Sequence, residues 1–156
     1  MLTHLKINNF ALIDNLEVSF SNGMTCITGE TGAGKSILLG ALSLVIGRRA
    51  DLSSLFDSTR KCIVEATFDI KSYNLESVFE FYDLDHENET VLRREILPKG
   101  KSRAFINDTP VNLNTLEKIS LSFIDIHSQN ENRSLMQDEY QIEILDCLAD
   151  NQKLLK

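Results

Sequence analysis

Leu5 and Ile7 alternate with polar neighbours, and Leu16, Val18 and Phe20 do so again beyond Asp14-Asn15, so the chain is expected to open on two strands. Ser21-Asn22-Gly23 predicts a turn, and the nearly all-apolar run Met24 to Thr28 predicts a strand buried on both faces. From Lys35 to Ile46 the period changes: Leu38, Leu39, Leu42, Val45 and Ile46 recur at three- and four-residue spacing, a helix with Gly47 as its stop signal. Ile63 to Ile70 reads as a strand, Leu75 to Tyr82 as a short helix, and Asp83 to Glu89 as an acidic loop. Val91 to Leu97 and Arg103 to Ile106 flank Pro98-Lys99-Gly100-Lys101 as a hairpin, and Asn107-Asp108 marks a second tight turn. Asn112 can cap a helix to about Ile119, with Asn114 and Thr115 as competing caps. Leu121 to Ile126 predicts another buried strand, followed by a polar loop, His127 to Arg133. From about Asp138 a helix is expected, with Leu145, Leu148 and Leu155 on heptad-like spacing broken at Gln152, as at the base of a coiled coil.

Composition narrows the class of protein. With 156 residues, 42% hydrophobic and 25% charged, the chain suits one ordinary domain able to bury a core. Its net charge of -7 argues against a nucleic-acid surface spread over the whole lobe, because phosphate neutralisation by Lys and Arg supplies most non-specific affinity. Local basic clusters stand out at Arg48-Arg49, Arg60-Lys61, Arg93-Arg94 and Lys99, Lys101, Arg103; taken singly, each reads as a solvated face or turn. Cys26, Cys62 and Cys147 show neither metal-ligand spacing nor a disulfide framework, which fits a reducing compartment. The longest apolar stretch, Ile37 to Ile46, is too short to cross a bilayer, and the start of the chain lacks the layout of a signal peptide. A cytoplasmic protein without a membrane partner is expected.

The chemistry concentrates at Gly29-Glu30-Thr31-Gly32-Ala33-Gly34-Lys35-Ser36, which matches G-x-x-x-x-G-K-[ST] between a predicted strand and a predicted helix. Glycines there let backbone N–H groups and the helix N-terminus surround phosphate oxygens. Lys35 would add a cation for the β- and γ-phosphates, and Ser36 a hydroxyl for magnesium, so ATP with Mg²⁺ is the expected cofactor pair. The loop alone names no reaction. Asp125, after Phe123-Ile124, offers a magnesium carboxylate to a self-contained kinase or small NTPase, but no base stands beside it. A non-catalytic nucleotide-binding module is the other alternative.

Three stretches together are more specific: Asn9-Phe10-Ala11-Leu12-Ile13-Asp14, Thr28 through Ile37, and Gly47-Arg48-Arg49-Ala50-Asp51. With Ile124-Asp125-Ile126-His127-Ser128-Gln129, they closely resemble the RecN family of bacterial SMC-like DNA repair proteins over almost the whole chain. The resemblance implies an α/β P-loop NTPase fold: the N-terminal lobe of an ABC/SMC-type head with a mixed sheet, residues 1–137, and the start of a coiled-coil helix, residues 138–156. It implies that the C-terminal half of the same head is a partner and supplies the signature Ser-Gly-Gly stretch, the Asp-Glu pair and the switch His. A second head, paired through ATP, and DNA in double-strand-break repair follow as further partners, with a nucleoid-associated location. Under this resemblance Gln129, not Asp125, faces the metal and water. The chain departs from the family pattern at His127-Ser128-Gln129-Asn130-Glu131-Asn132, where a later histidine is usual, and at Ala11, where SMC relatives often carry a basic residue. Arg48 and Arg49 stand where such heads can carry a DNA- or nucleotide-sensing arginine, although a helix C-terminus favours cations for structural reasons as well.

Overall fold

The computed structural model describes residues 1–29, 34–50 and 55–126, together with Ile142, Leu145 and Ala149 singly. The chain divides into two compact units, Met1–Ile124 and Asp125–Lys156.

In the first unit the elements are β1 (Leu2–Phe10), β2 (Ile13–Ser19), α1 (Lys35–Val45), β3 (Cys62–Asp69), α2 (Glu76–Phe81), β4 (Glu89–Ile96), β5 (Ser102–Ile106), β6 (Thr109–Val111) and α3 (Leu113–Ser120). The strands form one sheet in the order β2-β1-β3-β4-β5-β6. All five pairings are antiparallel, so the parallel pairings of a mixed sheet are not among the described strands. Residues two apart in a strand share a face. On one face Leu5 and Ile7, Val64 and Ala66, Leu92, and Ala104 and Ile106 are all buried. Ala41, Leu44 and Val45 of α1 and Leu116 and Ile119 of α3 belong to the same core.

The helix ends follow from local chemistry. Asn112 caps α3, its side-chain oxygen accepting from Thr115 N–H at 2.9 Å. At the C-terminal end of α1, Gly47 takes a left-handed φ of 103°. Arg48 N–H donates to Ser43 C=O at 3.0 Å and Gly47 N–H to Leu44 C=O at 3.2 Å, the paired bonds of a Schellman cap.

Two predicted strands are corrected. Met24 to Thr28 joins no described pairing and lies exposed, with Met24 95% accessible. A strand buried on both faces needs neighbours, and the six-stranded sheet offers this segment none. Leu121 to Ile126 is not a strand either: the N–H groups of Leu121, Ser122, Phe123 and Ile124 donate back to Glu117, Ile119 and Ser120 in helix-like turns. Leu116, Ile119 and Phe123 lie three and four residues apart on one helical stripe, and Phe123 packs its ring 5.1 Å from Phe68. The edge strand β6 has no counterpart in the hydrophobic pattern, because three residues around Pro110 carry little strand signal.

In the second unit Ile142 and Leu145 are helical, and Ala149 N–H donates to Leu145 C=O at 2.9 Å. The expected boundary between 137 and 138 and the remaining heptad positions lie outside the described residues.

Candidate nucleotide site

The helix that the sequence places after the phosphate loop begins at Lys35, and Gly34 delivers the chain into it with φ 97°. A Cβ at Gly34 would meet none of the described residues within 4 Å, and its backbone angle is what reserves the position for glycine. Among the described residues no side chain caps this N-terminus and no acid stands in its first turn, where the positive end of the helix dipole favours an anion. Lys35 and Ser36 are at the surface there, and the Lys35 ammonium donates to the Gly29 carbonyl, bringing the two ends of the loop together. These groups fit a phosphate ligand: a helix N-terminus, a flexible cation and a hydroxyl within one turn. Glu30, Thr31, Gly32 and Ala33 of the motif and Gln129 lie outside the described residues. Asp125 is exposed, belongs to the second unit, and follows helical turns rather than the strand that a self-contained NTPase would need.

α1 is held over the sheet from below. Gly40 brings the helix within 3.6 Å of the Phe10 ring, counting from the position its Cβ would occupy. Phe10 ends β1 and forms an isolated bridge with Leu55. Just before it, Asn9 has φ 58° and is 2% exposed. Its amide nitrogen donates to the carbonyls of Asp57 and Arg60, both at 2.9 Å, and its amide oxygen accepts from Asp57 N–H at 2.7 Å. Arg60 then reaches Asp57 at 2.9 Å and Asp14 at 2.6 Å. Hydrogen bonds to Thr59 and then to Arg60 hold the Asp57 carboxyl below its ordinary range, and the two aspartates raise the Arg60 guanidinium above its own. Asn8, Asn9, Asp14, Asn15, Arg60, Lys61 and Ile63 border an open pocket of about 660 Å³.

Sequence reasoning places Asn9 only within the family-like stretch and misses its role as an anchor. The available signal is the residue type, since asparagine tolerates the left-handed region better than other side chains. It also misses Arg94, which takes an inward position of β4 between Leu92 and Ile96 and is 2% exposed. Its Nη2 donates to Ser102 Oγ at 3.0 Å while Nε is buried without a partner among the described residues, and burial lowers its pKa.

Among the described residues no group of three or more His, Cys, Asp or Glu could hold a metal ion, and no helix is long and apolar enough to cross a membrane. The AAA domain family model matches residues 4–156. The DNA repair protein RecN of Vibrio cholerae is 44% identical over 157 residues, covering 100% of this chain and 28% of the relative. RecN of Bacillus subtilis is 39% identical over 96% of this chain and 26% of the relative. The chain thus spans little more than a quarter of the length of these curated relatives. Among solved structures, one concerning ATP-driven dimerization and DNA-stimulated activation of SMC ATPases is similar with a TM-score of 0.66 at 17% identity, covering 92% of this chain and 96% of the other. The SMC head domain from Thermotoga maritima gives 0.56 at 20% identity over 76% of this chain and 41% of the other, and the recombination mediator RecF gives 0.57 at 18% over 74% and 29%. These likenesses establish the P-loop ATPase-head fold. The chain therefore belongs to the AAA domain family, and over its whole length it is similar to about a quarter of the length of the DNA repair proteins named RecN.

Proposed function

We propose that this chain is the phosphate-gripping half of an ATPase head acting in DNA double-strand-break repair and recombination. The observation that carries the reading is Gly34, whose left-handed backbone leads into a helix N-terminus with Lys35 and Ser36 in its first turn. In this reading the backbone of Gly29, Glu30, Thr31, Gly32, Ala33 and Gly34 would hold the ATP phosphates, Lys35 would pair with the β- and γ-phosphates, and Ser36 would offer its hydroxyl to the magnesium ion. The metal would neutralise charge on those phosphates. Gln129 would help to hold the metal and position water. Residues 1–137 form the lobe, and residues 138–156 lead into a coiled-coil arm.

The C-terminal half of the same head is the first partner. Leu12, Met24, Ile27 and Phe56 are each about half or more exposed on the first unit and are positions such a partner could cover. That half would give the Met24 to Thr28 segment the strand neighbours it lacks. A second head paired through ATP, and DNA, complete the set; the likeness to dimerizing SMC ATPases and the RecN relatives support both. The location would be cytoplasmic, at the nucleoid.

The test is Lys35→Ala in the full-length protein, read by calorimetry. ATP affinity should fall by on the order of a hundredfold or more, because the substitution removes the ammonium that pairs with two phosphates while the backbone stays folded. Unchanged affinity in a folded variant would overturn the reading.

A further inference from the structure

The face of the sheet opposite the core carries a basic patch that the nucleotide chemistry does not use. Across the β4–β5 pairing, Arg93 stands opposite Phe105 and Glu95 opposite Arg103. Arg93 Cζ lies 4.4 Å from the centre of the Phe105 ring. Its Nε lies 3.9 Å from Glu95 Oε1, and Lys61 Nζ reaches the same oxygen at 3.6 Å. One carboxylate therefore holds two cations in place, and the aromatic ring fixes one of them from below. The hairpin beyond is well defined, with Leu97 N–H donating to Lys101 C=O at 2.8 Å and Gly100 N–H to Leu97 C=O at 2.9 Å. It presents Lys99, Lys101 and Arg103 to solvent. The patch sets these five cations against Glu95 and Glu65, the latter opposite Arg93 on β3, in a chain whose net charge is -7.

We propose that this β4–β5 face binds the phosphate backbone of DNA without reading its sequence. The proposal rests on the DNA-repair reading above and gives DNA a place on this lobe. From Lys101 to Phe105 the strand runs roughly 13 Å, at about 3.3 Å per residue, with cations along it and at its tip. An extended row of charge suits a backbone of repeated phosphates better than a single carboxylate. The Asn107 amide, which could otherwise read a base edge, is already committed to Val91 N–H at 2.9 Å and Asp85 C=O at 3.2 Å.

The experiment measures binding of full-length protein to a fluorescent mixed-sequence DNA duplex by anisotropy, across a salt series, with the triple variant Lys99→Gln, Lys101→Gln, Arg103→Gln alongside. All three positions are exposed, and calorimetric ATP affinity and circular dichroism check that the variant keeps its fold. Each phosphate that the protein no longer neutralises should lower the slope of log affinity against log salt by about 0.9, so the triple variant should drop by roughly two to three and the single Lys101→Gln by about one. Affinity at low salt should fall at least about tenfold in the triple variant. Wild-type binding with an unchanged slope in the triple variant overturns this site and leaves the DNA-repair reading standing. No DNA binding by the wild type overturns both. Weakened retention of the triple variant on immobilised polyglutamate with DNA binding intact would assign the face to an acidic protein instead, and the proposal would be wrong.

Discussion

Asn9 shows how one side chain sets the geometry beside the nucleotide site. It occupies a left-handed backbone position at the end of β1 and makes three hydrogen bonds to the 57–60 loop. Asn9→Ala removes those bonds and leaves an alanine in a left-handed conformation that costs an L-residue about 1–2 kcal/mol, a cost asparagine's polar side chain helps to offset. At about 0.5–1.5 kcal/mol for each of three part-buried hydrogen bonds, the variant should lose roughly 2–4 kcal/mol by denaturant unfolding. Asn9→Gly loses the same bonds but not the backbone term, so it should be the milder of the two. Equal losses would show that the backbone conformation contributes nothing. The type of residue is legible in the sequence, but its three partners are 48 to 51 positions away and cannot be read from local pattern.

The phosphate-loop helix and α3 meet at a close seam. Ser120 Oγ donates to Ile46 C=O at 3.2 Å, and a Cβ built on Gly47 would lie 2.9 Å from Glu117 Cβ and 3.1 Å from its Cα. Gly47 thus ends α1 for two reasons: its φ of 103° and the proximity of α3. Gly47→Ala should therefore destabilise the lobe by about 2–4 kcal/mol, well beyond the loss of up to about 1 kcal/mol expected where only a helix stop is altered. Thermal unfolding of the variant measures this, and a shift in melting temperature within error of zero would contradict it. The glycine stop at this position is visible in the sequence. The second helix pressed against it is not, because nothing in the spacing of Glu117 tells which element it touches. The departure of Leu121 to Ile126 from the expected strand has a related origin: a short apolar run suits a strand or a helix equally, and only packing shows that Leu116, Ile119 and Phe123 belong to one helical stripe.

At the scale of the whole molecule, the proposed reading gives this lobe the phosphate-gripping groups and leaves the Asp-Glu pair and the signature serine-glycine stretch to the C-terminal half of the head. Catalysis of hydrolysis depends on several groups placed around the developing charge, and losing one such donor can cost on the order of a hundredfold or more. The 156-residue chain alone should therefore hydrolyse ATP no faster than background, with magnesium-dependent turnover appearing when the C-terminal half and its joining arm are supplied. A steady rate from the isolated chain that vanishes in Asp125→Asn would contradict this and favour a self-contained NTPase.

Local pattern is enough to place β1, β2, α1, β3, α2, β4, β5 and α3, because hydrophobic periodicity, glycine stops and an asparagine cap act within a few residues. The ordered motif from Gly29 to Ser36, with its neighbours, is also sufficient to point to the family. Tertiary structure decided what depends on distant partners. It set the strand order, the engagement of Asn9 with the 57–60 loop, and the burial of Arg94 on the core face. It also left Met24 to Thr28 exposed, since an apolar run becomes a buried strand only where two other strands are present to cover it.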